Sequence, residues 1–136
     1  MSTSEVPLVT VVDDDASVVE AVVSLMESLG YDAAGFTSAE EFVNSTRLGR
    51  TACLILDVRM PGMGGLELQR RLAAKVDHTP IIFITAHSGQ DISDEALRRG
   101  AVAFLHKPFS QESLLAAVRS ALARRAGPSV HEVPSS

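Results

Sequence analysis

The sequence predicts an α/β domain built as an open, doubly wound parallel sheet of five βα units. Three observations predict it. Short β-branched or aliphatic runs alternate five times with longer amphipathic segments. Cys53–Leu56 and Ile81–Ile84 are apolar at every position, as happens when helices cover both faces of a sheet. Several runs stop abruptly at polar residues: Asp13-Asp14-Asp15, Asp57, Thr85 and, through His106, Lys107. Right-handed crossovers leave few topologies for such a chain, and strand order 2-1-3-4-5 leads among them.

Strands are expected near residues 8–12, 32–36, 52–56, 81–84 and 102–105, and helices near 16–29, 39–46, 65–75, 92–99 and 111–124. In the first helix Val18, Val19, Val22, Met26 and Leu29 recur at helical spacing and predict a core stripe. Gly30 follows as the C-terminal cap. Ser38 with Glu41 three residues later reads as a capping box for the second helix. Ser110 is placed to cap the last helix, whose apolar face is Leu114, Leu115, Val118 and Leu122. The segment 126–136 holds two prolines, a glycine and three serines without periodicity, and is expected to be a disordered tail after a domain of residues 1–125.

The chain of 136 residues is the size of one domain. No apolar run reaches the ~20 residues that span a bilayer. Met1-Ser2-Thr3-Ser4-Glu5 lacks the basic start of a secretory signal. The one cysteine, Cys53, sits in a predicted strand and fits a reducing, cytoplasmic compartment. A formal charge of −5 argues against a nucleic-acid surface. The pairs Arg70-Arg71, Arg98-Arg99 and Arg124-Arg125 read as solvated helix faces or partners of helix C-terminal dipoles.

The carboxyl ends of parallel strands open on one edge, so residues distant in sequence should meet there. Asp13, Asp14 and Asp57 brought together would repel and raise one another's pKa. A hard divalent cation relieves that repulsion, and carboxylates without a histidine or thiolate cluster suit Mg²⁺ better than Zn²⁺. One carboxylate could then act as a nucleophile toward a phosphoryl group. Lys107 would supply an ammonium and Thr85 a hydroxyl to the phosphoryl oxygens. Lys107 is one of two lysines among twelve basic residues, so a compact charge at a strand end stands out. Taken singly, Asp13-Asp14-Asp15 could only cap a helix, Asp57 could be a loop acid before Pro61-Gly62, and Lys107 a surface lysine. Capping explains one of the three acids, Asp15, but not three in a row, and the coincidence on one edge favours chemistry.

Four segments carry a resemblance: Val11-Val12-Asp13-Asp14-Asp15, Leu56-Asp57-Val58-Arg59-Met60-Pro61-Gly62-Met63-Gly64-Gly65, Ile84-Thr85-Ala86 and Phe104-Leu105-His106-Lys107-Pro108-Phe109. In order and spacing they resemble the receiver domain of bacterial two-component response regulators, in the FixJ/NarL-like branch, over roughly residues 7–124. The resemblance implies a flavodoxin-like sheet and a phosphorylation-activated signalling receiver rather than an enzyme acting on other molecules. It implies that Asp57 accepts phosphoryl from a histidine kinase or phosphotransfer protein. It implies Mg²⁺ held by Asp14, Asp57 and the carbonyl of Arg59, with Asp13 acting through water. Thr85 and Lys107 would touch the phosphoryl group, Phe104 would be the aromatic switch, and the Lys107-Pro108 bond would be cis. A downstream protein or a second copy would read the phosphorylated state. No membrane partner is implied.

The chain departs from the branch after Thr85, where Ala86-His87-Ser88-Gly89-Gln90-Asp91 replaces the usual Gly-His-Gly-Asp, and along the fourth helix. The resemblance places positions 59 and 87 near the path of a hydrolytic water. Here they are Arg59 and His87, neither suited to orient it, so dephosphorylation is expected to be slower than in an Arg59→Asn, His87→Glu double variant. Two other functions compete. A Mg²⁺-dependent phosphatase with an aspartyl nucleophile needs a second acid two residues on, and that position is Arg59. The chain could instead be the N-terminal receiver of a DNA-binding transcriptional regulator, though these residues alone would not bind DNA.

Overall fold

The computed structural model describes residues 6–75, 77–86 and 90–126. Five strands and five α-helices alternate in it. They are β1 (Leu8–Val12), α1 (Ala16–Ser28), β2 (Asp32–Phe36), α2 (Ala39–Val43), β3 (Cys53–Asp57), α3 (Gly65–Ala74), β4 (Ile81–Thr85), α4 (Gln90–Arg98), β5 (Ala103–His106) and α5 (Gln111–Ala126). A short 3₁₀ turn, Leu48–Arg50, precedes β3. The strands form one parallel sheet in the order β2-β1-β3-β4-β5, as the alternation predicts.

Every residue of β1, β3 and β4 is buried, which explains why they are apolar except at Thr10 and the strand-end residues Asp57 and Thr85. Side chains alternate between two cores. On one face Val9, Val11, Cys53, Ile55, Ile82 and Ile84 meet α1 and α5 through Val19, Val22, Met26, Leu114 and Val118. On the other, Val12, Leu54, Leu56 and Phe83 meet Phe42, Leu68, Leu72 and Ala96 of α2, α3 and α4. Edge strands β2 and β5 are less covered. Thr10, the polar residue inside β1, is fully buried, and its hydroxyl lies 2.8 Å from that of Thr51.

The caps follow the sequence. Asp15 accepts the Ser17 amide at 2.9 Å, Ser38 accepts the Glu41 amide at 3.1 Å, and Ser110 accepts the Ser113 amide at 2.9 Å. Gly30 has φ +96°. Its amide donates to Glu27 O and that of Tyr31 to Met26 O, the pair of bonds that closes a helix.

Three readings need correction. Leu29 is 44% exposed, because the helix ends one residue earlier and the chain turns away at Gly30. The second helix stops at Val43 rather than near 46. There the Ser45 hydroxyl donates to Phe42 O and accepts from the Arg47 amide, diverting the backbone into the 3₁₀ turn. The last helix runs through Ala126. The rest of the expected tail, residues 127–136, lies outside the described residues.

Candidate functional site

The register of the sheet assembles the site. Val12 pairs with Leu56, so the next residues, Asp13 and Asp57, emerge side by side where the chain switches direction between β1 and β3. Thr85 ends β4, paired with His106 of β5, and its carbonyl accepts the Lys107 amide at 2.7 Å. That bond holds the Lys107 backbone against the carboxyl ends of the central strands. The Lys107-Pro108 peptide is cis.

Asp13, Asp14 and Asp57 each offer a carboxylate oxygen within 4.8 Å of the others. Asp13 and Asp57 are buried, whereas Asp14 is exposed. Asp13 is tied on both oxygens: Oδ1 accepts the Asp15 amide at 2.9 Å and Oδ2 accepts Lys107 Nζ at 2.6 Å. Lys107 Nζ also stands 3.8 Å from Asp57 Oδ2. Burial, and then the charge of Asp13, push the Asp57 carboxyl up to about 7. The ammonium of Lys107 and the Arg59 amide pull it back, and Asp14 adds to the rise. Burial alone would lower Lys107, but its bond to Asp13 and the charge of Asp57 outweigh that and raise it. Three carboxylates gathered this closely suit a hard, oxygen-binding cation.

The polypeptide after Asp57 is closely packed. The Arg59 amide lies near enough to the Asp57 carboxyl to lower its pKa, while the Arg59 side chain is exposed. The Gly65 amide donates to Val58 O at 2.9 Å. A Cβ on Gly65 would stand 2.4 Å from Asp57 O, so only glycine lets α3 begin so near the end of β3. Thr85 is buried. Phe104 is half-buried, its ring 6.1 Å from that of Phe83 and 5.5 Å from that of His106.

Asp13, Asp14, Asp57 and Lys107 therefore meet, with Thr85 joined to Lys107 through the backbone. Position 87, paired with Arg59 in the sequence reading, lies outside the described residues. Sequence reasoning missed Glu40 of α2, whose carboxylate accepts the Met63 amide at 2.9 Å in the loop after Asp57. Its only local signal, an acid in the first turn of a helix, pointed to the helix dipole.

Residues 9–119 match the family described as the response regulator receiver domain. Response regulator protein TmoT of Ectopseudomonas mendocina is 45% identical over 115 residues, 85% of this chain and 52% of that protein. Transcriptional regulatory protein FixJ of Azorhizobium caulinodans is 41% identical over 118 residues, 87% of this chain and 56% of that protein. The chain thus spans about half the length of these curated relatives. A solved receiver protein from Burkholderia phymatum is 45% identical with a TM-score of 0.75, covering 86% of this chain and 95% of that one. The FixJ-N structure is 30% identical with a TM-score of 0.79, covering 96% of this chain and 99% of that one. The sequence match and the shared sheet agree, and the chain belongs to the response regulator receiver domain family, with FixJ among its relatives.

Proposed function

We propose that this chain takes a phosphoryl group on Asp57 from a histidine kinase or phosphotransfer protein and signals by the change that follows. One observation carries the reading: Asp57, buried at the end of β3, faces an ammonium at 3.8 Å within a cluster of three acids. An Asp57 oxygen forms a bond to phosphorus as the donor's phosphorus–nitrogen bond breaks, and that electron pair returns to the imidazole nitrogen. Lys107 places positive charge beside the equatorial phosphoryl oxygens. Its bond to Asp13 fixes where that charge stands.

Asp14, Asp57 and the Arg59 carbonyl would hold Mg²⁺, with Asp13 acting through water, and the three hard carboxylates fit that ion. When bound, Mg²⁺ neutralises phosphoryl charge. The Thr85 hydroxyl would donate to a phosphoryl oxygen, and Phe104 would turn inward beside Phe83 as Thr85 moves. That movement would alter the face of α4, β5 and α5, read by a partner protein or a second copy. Catalysis by the chain would extend only to its own phosphorylation and dephosphorylation. No described helix is long and apolar enough to cross a membrane. The single buried thiol, Cys53, supports a reducing, cytoplasmic setting.

A second reading rests on the relatives. Several are named as transcriptional regulators and are about twice as long as the match. The chain would then serve as the N-terminal receiver of a DNA-binding regulator.

Intact-mass measurement with a small-molecule phosphodonor tests the main reading. The protein with Mg²⁺ should gain one phosphoryl group. Asp57→Asn, or the wild type in excess chelator, should gain none. Undiminished labelling of Asp57→Asn would refute the assignment.

A further inference from the structure

The loop from Val58 to Gly64 joins β3 to α3 and holds the Arg59 peptide two residues after Asp57, whose carboxyl pKa the Arg59 amide lowers. One end of this loop is closed by the bond from the Gly65 amide to Val58 O. The middle is held from a different element. Glu40 lies in the first turn of α2, 23 residues before Met63 in sequence, and its Oε2 accepts the Met63 amide at 2.9 Å.

Two further observations show that the loop is shaped around this carboxylate. Gly62 has φ +77°, and a Cβ there would stand 2.5 Å from Glu40 Oε2. Met63 is buried in the same apolar core as Ala39 and Phe42 of α2, so the stretch that bonds Glu40 is also packed into the core that α2 joins. The Met63 amide bond also holds the Glu40 carboxyl below its ordinary value, helped by the Glu40 amide and, more weakly, by Arg71. The acceptor is therefore the ionised carboxylate, and the bond is charge-assisted.

We infer that Glu40 is a positioning residue for the phosphoacceptor site, setting the Arg59 peptide through the Met63 amide. This rests on Asp57 being the acceptor. Without Glu40 the Met63 amide loses its acceptor, and the loop keeps only its end bonds, Val58 to Ile84 and Gly65 to Val58, and the burial of Met63. The Arg59 peptide then samples orientations that aim its N–H away from Asp57 and its carbonyl away from a cation held by Asp14 and Asp57. Outer partners that orient ligating groups commonly matter as much as this. Glutamine at position 40 keeps a carbonyl oxygen as acceptor and should keep the loop.

The test compares wild type, Glu40→Ala, Glu40→Gln and Gly62→Ala. Mg²⁺ affinity is measured by calorimetry, phosphorylation by a small-molecule donor at several Mg²⁺ concentrations, and folding by thermal melting. Glu40→Ala should weaken Mg²⁺ binding about tenfold and slow phosphorylation mainly at low Mg²⁺. Glu40→Gln should recover most of both. Gly62→Ala, which drives a Cβ into the carboxylate, should behave like Glu40→Ala. Unchanged Mg²⁺ affinity in a folded Glu40→Ala protein overturns the proposal. So does a Glu40→Gln protein as impaired as Glu40→Ala. A wild type that takes no phosphoryl group would instead overturn the assignment of Asp57, whatever Glu40 does.

Discussion

Lys107 Nζ lies 2.6 Å from Asp13 Oδ2, across 94 residues of chain, and is nearer to that acid than to Asp57. The ammonium thus neutralises the most buried member of the acidic cluster and leaves Asp57 raised to about 7. Without a cation, a proton on Asp57 is favoured below about pH 7.

Removing that ammonium should cost stability. In Lys107→Met, Asp13 keeps, among the described residues, the Asp15 amide as the hydrogen-bond partner of a fully buried carboxylate. Urea unfolding in chelator should show a loss of about 1–3 kcal/mol. Asp13→Asn added to Lys107→Met should recover part of it, because no unpaired charge remains. An unchanged midpoint in the single variant would show that Lys107 is dispensable to the fold.

The raised Asp57 predicts a pH dependence for the metal-free protein. Its carboxyl titrates near the ordinary 3.8 when unfolded and at about 7 when folded. Between those values the folded state holds the extra proton, so stability falls as pH rises through the window and levels above it. The fall is at most about 4 kcal/mol by the size of the shift. Asp57→Asn should flatten the slope, and saturating Mg²⁺ should restore stability above pH 7. Urea midpoints from pH 4.5 to 8 with and without chelator decide this. A slope unaffected by Asp57→Asn would assign the dependence to other groups.

Gly65→Ala should damage both fold and function. The added Cβ would stand 2.4 Å from Asp57 O and 3.1 Å from the Phe83 ring, neither of which can retreat within the core. Overpacking of this kind costs about 1–3 kcal/mol. Any relief must come from a shift of α3 or of the end of β3, so phosphorylation should slow as well. Wild-type stability and labelling in this variant would mean that the two elements separate easily.

Phosphorylation should be felt at Phe104. Its half-buried ring beside Phe83 can bury more area if Thr85 moves toward the phosphoryl group. Amide resonances of Ala101–Leu105 and of α4 should shift in the phosphorylated protein. Shifts confined to the neighbours of Asp57 would reduce Phe104 to a core aromatic.

Much of this was legible in the sequence because the signals are local or follow from parallel pairing. Apolar runs marked the strands, and period and caps marked the helices. A parallel sheet aligns its strand ends without further information, so Asp13, Asp57, Thr85 and Lys107 are gathered on one edge by the strand pattern alone. Long-range geometry was decided only by the tertiary structure. The register Val12↔Leu56 set how closely Asp13 approaches Asp57, and the path after β5 sent Lys107 to Asp13 first. The turn at Gly30 exposed Leu29 although its spacing matched the stripe. Glu40 reached Met63 through the seating of α2 against the loop after β3. Periodicity specifies which face of an element is apolar; where that face lands, and which polar groups then meet, depends on packing between elements distant in sequence, which no local pattern encodes.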